Sequence, residues 1–283
     1  ATRAFQHWAR ARFGDDAEVT LEANPGTAET ARFRAYIEAG VNRLSLGIQS
    51  FDAGHLQRLG RVHDADEARA AIGKARDAGC HNLNLDLMFG LPEAAPGDAL
   101  RDLEQAIAAA PEHVSWYQLT LEEGTAFAHQ PPPLPEHDAV CDDYDAGLEL
   151  LRDHGYEQYE ISAYARASRA SRHNTNYWLF GDYIGIGAGA HGKRTDEQGA
   201  VWRSTRIRHP ERYQKAARDG RAMESEERVA GMTLATEFML NALRLAQGFD
   251  TRLFVLRTGL PWQALQAPLE AALAHGWLLE EGG

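Results

Sequence analysis

Residues 82–92 read NLNLDLMFGLP, and apolar and polar side chains alternate along most of them. Alternation with a period of two predicts a β-strand, and Gly90 and Pro92 predict the turn that ends it. Asp86 lies on the polar face beside Asn84, with no cation on that face. The pattern therefore predicts a carboxylate near the carboxyl end of a strand, placed to meet a ligand. A solvated edge strand is the alternative.

The surroundings of this strand repeat along the chain. Residues 78–86 (AGCHNLNLD) echo residues 39–47 (AGVNRLSLG), and each copy is the end of a helix, a capping glycine and a strand. Further strands are predicted at residues 113–121 and, after Gly155, at residues 156–162. Strands that alternate with helices predict a parallel sheet or barrel.

The composition restricts the class of protein. The 283 residues are 44% apolar and 25% charged, which suits one barrel plus a small appendage. The net charge of −12 argues against general nucleic-acid binding, whose affinity rests on neutralising phosphates. No stretch predicts a transmembrane helix or a secretory signal, so a soluble cytoplasmic protein is expected. The only cysteines, Cys80 and Cys141, predict neither a disulfide framework nor a paired-cysteine metal motif.

Both ends of the sequence indicate a piece of a longer protein. Residues 1–13 predict a helix that arrives before any strand, and residues 276–283 predict one arm of a hairpin whose return is missing. The expectation is therefore that the chain is truncated at its N-terminus.

Two helices have capping signals at their starts. Thr27 is predicted to cap a helix over residues 28–39, and Asp64 and Glu67 have capping-box spacing for a helix that runs to residue 78.

Three further polar side chains lie at or just after predicted strands. Glu22 shares the polar face of a strand within residues 18–26, and Gln49 ends a strand over residues 42–50. Arg61 lies in the following loop, where a lone arginine is usually solvated. In a parallel barrel, however, the strand ends and the loops after them form the active face. We therefore expect Glu22, Gln49, Arg61 and Asp86 to converge on one mouth.

The segment 183–192 contains a glycine at every second position over part of its length. Gly187, Gly189 and Gly192 match the dinucleotide fingerprint by spacing, but the residues that follow are polar and do not predict the apolar helix that the fingerprint requires. A close approach of the backbone to another backbone or to a flat ligand is the favoured interpretation.

His173 lies beside Tyr177 and Trp178 and has two interpretations. It is either a core histidine with aromatic neighbours or an axial ligand to haem. His191, among the glycines, is the rival ligand. Further along, residues 225–245 predict an amphipathic helix, residues 261–275 another helix and Trp277 a strand, which together form a small helical module with a wing but without a basic recognition face.

Several long motifs in one order carry a family resemblance. The sequence resembles the radical S-adenosylmethionine haem chaperones called HemW, also described as oxygen-independent coproporphyrinogen III oxidase-like. The stretches that carry it are residues 21–27 (LEANPGT), 44–51 (LSLGIQSF), 59–63 (LGRVH), 84–92 (NLDLMFGLP), 171–178 (SRHNTNYW) and 185–192 (GIGAGAHG).

The resemblance implies an α/β fold, a partial (β/α)6 TIM-type barrel of the radical S-adenosylmethionine class that lacks its first βα units. The barrel is expected over residues 1–200 and an incomplete, winged-helix-like HemN-type domain over residues 201–283. The implied cofactors are S-adenosylmethionine, haem and, in the full-length protein, a [4Fe-4S] cluster. The implied partners are haem and haem-acceptor proteins, membrane-associated respiratory haem enzymes among them, and a dimer is compatible with the family. No nucleic-acid partner is implied.

The resemblance also implies roles for particular residues. Glu22, Gln49, Arg61 and Asp86 match the family's S-adenosylmethionine contacts. The family's haem-associated His-Asn-x-x-Tyr-Trp motif is present as His173, Asn174, Tyr177 and Trp178.

One departure bears on catalysis. The family's three-cysteine cluster loop and its glycine-rich stretch are absent from this chain, so the chain as given is expected to lack the cluster and reductive cleavage chemistry. Two functions stay open at this point. The first is a haem chaperone, which the His173–Trp178 motif favours, and the alternative is an oxygen-independent coproporphyrinogen III oxidase, whose family lacks that motif.

Overall fold

A computed structural model describes residues 16–280, and its contacts divide the chain into two units at Ser171/Arg172. We refer to residues up to Ser171 as the N-terminal unit and to residues from Arg172 as the C-terminal unit. The sequence predicted a boundary after residue 200, nearly thirty positions later. The helix predicted over residues 1–13 lies outside the described residues.

The N-terminal unit is a six-stranded sheet covered by helices. In strand order β1-β2-β3-β4-β6-β5, strands β1 to β4 run parallel and β6 is antiparallel to both of its neighbours. The strands are β1 (Thr20–Ala23), β2 (Arg43–Gln49), β3 (Leu83–Phe89), β4 (His113–Gln118), β5 (Glu157–Glu160) and β6 (Ala163–Ala165). The helices are α1 (Thr30–Glu38), α2 (Ala53–Arg58), α3 (Ala65–Asp77), α4 (Asp98–Ala108), α5 (Ala126–His129) and α6 (His137–Asp153).

The strand that the sequence singles out lies inside this sheet. β3 is hydrogen-bonded to β2 on one side and to β4 on the other, so the edge-strand alternative is wrong. Leu83, Leu85 and Leu87 on its apolar face are fully buried in the main hydrophobic core. Its other face carries Asn84 and Asp86, because successive side chains of a strand point to opposite faces.

The single strand predicted over residues 156–162 is wrong. A turn at Ile161 and Ser162 reverses the chain, and β5 and β6 form a short antiparallel pair. The carbonyl of Ser162 accepts a hydrogen bond from the backbone N–H of Trp116, which ties this turn to β4. Residues 156–162 show no apolar alternation that distinguishes a hairpin from one longer strand.

The two predicted helix starts have different outcomes. At α3, the Asp64 side chain accepts from the N–H of Glu67 while the Glu67 side chain accepts from the N–H of Asp64, so the capping box is confirmed. Thr27 does not cap α1. It lies in a 3-10 turn, where its hydroxyl donates to the carbonyl of Asn24 at 2.9 Å, and the N-cap of α1 is Glu29.

Trp116 fills the space between the sheet and α6. Its ring is buried and lies 4.4 Å from the Phe89 ring and 6.0 Å from the Tyr144 ring, measured between centroids. Gly147 of α6 faces it, and a Cβ added at Gly147 would lie 2.0 Å from the Trp116 ring. A helix glycine is ordinarily a weak point, but here the missing side chain allows the helix to approach the indole.

Replacing Gly147 by alanine should therefore destabilise the protein, although alanine is the better helix former. We expect a loss of about 1–3 kcal/mol in the free energy of unfolding, because the buried Trp116 ring has to move. Gly73 in α3 is the matched control. A Cβ there meets nothing within 4 Å, so Gly73→Ala should stabilise by about 0.5–1 kcal/mol. Urea unfolding of both variants measures the effect, and a Gly147→Ala protein as stable as the wild type would contradict this packing.

The C-terminal unit has a three-stranded antiparallel sheet in the order β7-β8-β9 and a separate aromatic core. The Phe238 ring in that core makes edge contacts with the rings of Phe180 and Phe254. The strands are β7 (His191–Thr195), β8 (Val201–Arg206) and β9 (Met223–Val229), and the helices are α7 (Arg172–Trp178), α8 (Pro210–Arg218), α9 (Gly231–Ala242), α10 (Thr251–Thr258) and α11 (Gln266–Ala274).

Two predictions for this unit are wrong. Residues 225–229 belong to β9 and not to the predicted helix, which begins only at Gly231. Pairing with β8 decides the conformation of residues 225–229, because β9 is hydrogen-bonded to that strand. A side-chain ion pair supports it, since Glu226 Oε1 lies 3.2 Å from Arg194 Nε on β7. In the part of the chain that the structure describes, no strand forms at Trp277. Within residues 16–280, no helix is both long and apolar enough to cross a bilayer.

The glycine-rich segment makes a close backbone approach. Tyr183 is bridged to Lys193, and a Cβ on Gly185 would lie 2.1 Å from the carbonyl oxygen of His191. Strand β7 follows the segment where a dinucleotide fingerprint needs a helix. The close approach of the segment to another backbone is therefore confirmed, and the helix that the dinucleotide fingerprint requires is replaced by a strand.

Candidate functional site

The polar face of the parallel sheet collects side chains from four strands. Cross-strand pairing aligns Glu22 with Ser45, Ser45 with Asn84, and Asp86 with Ser115. Residues at paired positions share a face, so these groups are neighbours although they are far apart in sequence.

Asp86 is the centre of a directed hydrogen-bond network. Its Oδ2 accepts from the Ser45 hydroxyl at 3.0 Å and its Oδ1 accepts from the Asn84 amide at 2.7 Å. Burial raises the pKa of Asp86 and the nearby charge of Glu22 adds to this, while the hydrogen bonds from Asn84, Ser45 and Ser115 act in the opposite direction. Asp86 lies in the middle of β3, not at its carboxyl end as predicted.

A hydrogen bond from His113 on β4 fixes the orientation of the Asn84 amide on β3. Because the amide nitrogen of Asn84 donates to Asp86, its Oδ1 is the acceptor for His113 Nδ1 at 2.6 Å. The His113 Nε2 then accepts from the Tyr159 hydroxyl at 2.8 Å. His113 is completely buried, and burial together with the charge of Arg43 lowers its pKa to about 3. A neutral imidazole is thus held between a donor and an acceptor.

Gln49 has an unusual backbone. It is buried, its φ is 69°, and the pairing of β2 with β3 shifts register between Leu46 and Gln49. A non-glycine residue in the left-handed region within a bulge is costly and occurs most often at functional sites. The Tyr117 hydroxyl donates to Gln49 Oε1 at 2.9 Å, which leaves the Gln49 amide nitrogen as a hydrogen-bond donor.

Tyr117 donates a hydrogen bond to one of the four predicted residues, and the charges of the other three act on its hydroxyl. Burial and the charge of Asp86 raise the pKa of Tyr117 to about 12, with Glu22 acting in the same direction and Arg61 and the Gln49 hydrogen bond against it. The sequence analysis missed Tyr117, His113 and Ser115, although they alternate along residues 113–117 as the polar face of β4.

The donor set suits a polar, doubly charged organic ligand. Asp86 and Glu22 offer carboxylates for hydroxyl or ammonium groups, Gln49 offers an amide donor, and Arg61 offers a guanidinium that binds a carboxylate with two hydrogen bonds. Within the described residues, no group of three or more His, Cys, Asp or Glu side chains is arranged to hold a metal ion. Cys80 is buried and Cys141 is exposed, so these two thiols do not fit the three-thiolate requirement of a [4Fe-4S] loop.

The His173–Trp178 motif forms α7 of the C-terminal unit. His173 is exposed, so it is not a core histidine, and its ring meets the Tyr177 ring edge-on at 4.7 Å. Tyr177 lies 4.4 Å from the Tyr183 ring, while the Arg244 guanidinium lies 4.3 Å from the Trp178 ring. Asn174, on the same helix, is half-buried, and the rival ligand His191 is exposed at the start of β7.

Comparison of the sequence with known proteins shows which family this chain belongs to. Residues 3–106 match the model of the radical SAM superfamily and residues 232–283 match that of the HemN C-terminal domain. The chain is 45% identical over 268 residues to "Heme chaperone HemW" of Haemophilus influenzae, covering 95% of this chain and 69% of that protein. The chain belongs to the HemW family. The protein of the same name from Escherichia coli is 47% identical over 272 residues, covering 96% of this chain and 71% of that protein.

A solved structure agrees on the fold. Coproporphyrinogen III oxidase (HemN) from Escherichia coli, a radical SAM enzyme, superimposes with a TM-score of 0.73 at 19% identity, over 95% of this chain and 64% of that chain. The predicted fold class, a partial radical SAM barrel with a HemN-type C-terminal domain, is confirmed. The family resemblance inferred from the motifs of the sequence is confirmed as HemW.

Proposed function

We propose that this protein is a cytoplasmic haem chaperone that binds haem and S-adenosylmethionine on a radical S-adenosylmethionine scaffold and delivers haem to acceptor proteins. The observation that carries the proposal is the exposed His173 on α7, in the His-Asn-x-x-Tyr-Trp motif of a chain that is 45–47% identical to two proteins named heme chaperone. An exposed imidazole beside aromatic rings suits a ligand that has to be taken up and released.

The alternative, an oxygen-independent coproporphyrinogen III oxidase, has weaker support. It rests on the likeness of fold at 19% identity, and one fold hosts many functions. The proposed acceptors are haem proteins, membrane-associated respiratory haem enzymes among them.

Haem transfer separates the two functions. Full-length protein loaded with haem is mixed with a purified haem-free b-type cytochrome, and the absorbance of each protein is followed after separation. A chaperone should lose its haem to the cytochrome. Conversion of coproporphyrinogen III to a decarboxylated product in the presence of S-adenosylmethionine and a reductant, without haem transfer, would favour the oxidase instead.

S-adenosylmethionine is proposed to bind at Glu22, Gln49, Arg61 and Asp86, with Tyr117 orienting the Gln49 amide. The cofactor, together with a reduced cluster, supplies radical chemistry in this superfamily. The residues of this chain would bind and orient it: Arg61 through the methionine carboxylate, and Glu22, Gln49 and Asp86 through the ribose hydroxyls or the ammonium. A [4Fe-4S] cluster belongs to the proposal for the full-length protein, and no step is assigned through it.

Asp86→Ala should weaken S-adenosylmethionine binding by roughly 5- to 150-fold. Removing one partner of a desolvated polar contact costs about 1–3 kcal/mol, and here it also leaves Ser45 and Asn84 without their shared acceptor. Calorimetric titration of the full-length protein measures the change. Glu104→Ala, which removes an exposed carboxylate from α4, is the control and should bind like the wild type. An Asp86→Ala protein with wild-type affinity would remove Asp86 from the site.

A further inference from the structure

A buried carboxylate on α4 holds the backbone that follows Gln49. Asp102 Oδ2 accepts a hydrogen bond from the Ser50 hydroxyl at 2.5 Å, and Asp102 Oδ1 accepts from the backbone N–H of Phe51 at 2.7 Å. All three residues are at most 3% exposed, so water does not replace either bond. One side chain of α4 therefore fixes the path of the chain over the two residues directly after Gln49.

A second acidic side chain of α4 holds the same segment further along. Asp98 lies one helical turn before Asp102, so the two carboxylates project from one face of α4. The buried His55 donates from Nε2 to Asp98 Oδ2 at 3.0 Å. The backbone N–H of His55 donates to Asp52, the N-cap of α2, at 2.9 Å. Residues 50–55 are thus fastened to α4 near both of their ends.

The residue before Gln49 is held by a histidine. His63 is buried, and its Nε2 donates to the carbonyl of Ile48 at 3.1 Å. His63 follows Arg61 by two positions, so the same bond ties the loop that carries Arg61 to the end of β2. Together with the Tyr117 hydroxyl on the Gln49 side chain, these bonds hold the chain before, at and after Gln49.

Gln49 depends on such contacts because its conformation does not support itself. A φ of 69° costs a glutamine free energy and persists only where the surrounding structure imposes it. The Gln49 amide nitrogen also has little free space, since it lies 3.0 Å from the position that a Cβ on Gly47 would take. A change in the path of residues 48–51 would therefore displace the amide that the bond from Tyr117 leaves as a donor.

We propose that Asp102 is a positioning residue of the S-adenosylmethionine site, which holds Gln49 in its left-handed conformation and so directs the Gln49 amide toward the cofactor. The inference rests on the proposed site and adds to it a residue of a helix, 52 positions beyond Ser50 in the sequence. Asp102 acts on binding through Gln49 and not by touching the cofactor. A role in stability alone would instead be independent of the Gln49 side chain.

The test is a double-mutant cycle in the full-length protein, with S-adenosylmethionine affinity measured by calorimetric titration. Gln49→Gly removes the amide, and glycine adopts the left-handed φ without strain. Asp102→Ala should weaken binding by about 2- to 10-fold, and by no more than Gln49→Gly does, because the most that it removes is the contact made by that amide. In the Gln49→Gly background, Asp102→Ala should have no further effect, since a residue that acts through Gln49 has nothing left to position.

Two variants separate positioning from general destabilisation. Leu151→Ala removes a fully buried side chain of α6 from the main core, so it should lower the melting temperature but keep the wild-type affinity. Asp102→Asn should restore most of the affinity that Asp102→Ala loses. Its amide oxygen still accepts from the N–H of Phe51, and its amide nitrogen donates to the Ser50 hydroxyl.

Ser50→Ala is a milder second variant, which keeps the test decisive should Asp102→Ala fail to fold. It removes the bond from the hydroxyl and retains the bond from the N–H of Phe51. It should weaken S-adenosylmethionine binding by about twofold or more, and this loss too should vanish in the Gln49→Gly background.

The outcomes distinguish this inference from the proposed site. Losses for Asp102→Ala or Ser50→Ala that are the same with and without the Gln49 amide would overturn the positioning role. Wild-type affinity in Asp102→Ala, with weakened binding in Gln49→Gly, would also overturn it and would retain the site. Wild-type affinity in both Gln49→Gly and Asp86→Ala would overturn the proposed site, and the positioning role with it.

Discussion

Between pH 6 and pH 4, the free energy of unfolding of the N-terminal unit should fall less steeply with acid in His113→Gln than in the wild type. The difference in slope should be about 1.4 kcal/mol per pH unit. Burial holds the pKa of His113 at about 3 in the folded protein, against 6.5 for an ordinary histidine. Over that interval the unfolded chain binds a proton at this position and the folded chain does not.

The direction follows from which state binds the proton. Because the pKa of His113 is lowered on folding, its contribution to stability is fully present above about pH 6.5 and is lost as the pH falls toward 3. By pH 4.5 the wild type should have lost about 2–3 kcal/mol through this residue alone. Glutamine carries no titrating group but retains an amide that can donate to Asn84 and accept from Tyr159, so the variant lacks this loss.

Hydrogen exchange at the amides of β3 and β4 measures the free energy of opening of this unit at each pH. The informative quantity is the difference in slope between variant and wild type, since the substitution also changes stability at neutral pH. His81→Gln, at an exposed position of the same unit, is the control and should follow the wild-type slope. Parallel plots of the free energy of opening against pH for His113→Gln and the wild type would show that His113 is protonated in the folded state. That result would contradict the neutral His113 imidazole assigned between Asn84 and Tyr159.

The sequence predicted those parts of the fold that depend on local pattern. The alternation in residues 82–92 specified β3 and assigned Asn84 and Asp86 to one face, and the Asp64–Glu67 spacing specified the start of α3. It failed where partners distant in sequence decide the conformation. Residues 225–229 have the composition of a first helical turn and become a strand because β8 is available to pair with them.

The candidate site shows the same division. Alternation along the strands was enough to place Glu22 and Asp86 on the polar face of the sheet, because neighbouring strands align their polar faces. The hydrogen bond from Tyr117 to Gln49 spans 68 positions, and the one from His113 to Asn84 spans 29, so both depend on strand register. The bulge that turns Gln49 into the left-handed region has no signature in the sequence, since glutamine rarely adopts that conformation.

His173→Ala should abolish or shift the Soret band of haem bound to the full-length protein, while His191→Ala should leave it unchanged. Both histidines are exposed and both lie in the C-terminal unit, so accessibility does not separate them. What separates them is their surroundings. The His173 ring has the Tyr177 ring at 4.7 Å, with Tyr183 behind it, whereas His191 lies on β7 across from Thr205. Loss of an axial imidazole changes the electronic spectrum of the iron, and loss of a neighbouring apolar contact does not.

Absorbance spectra of ferric and ferrous forms of both variants, prepared at equal haem occupancy, measure the change. A His173→Ala spectrum that matches the wild type, with a changed His191→Ala spectrum, would transfer the ligand role to His191 and leave His173 as an aromatic-cluster residue of α7.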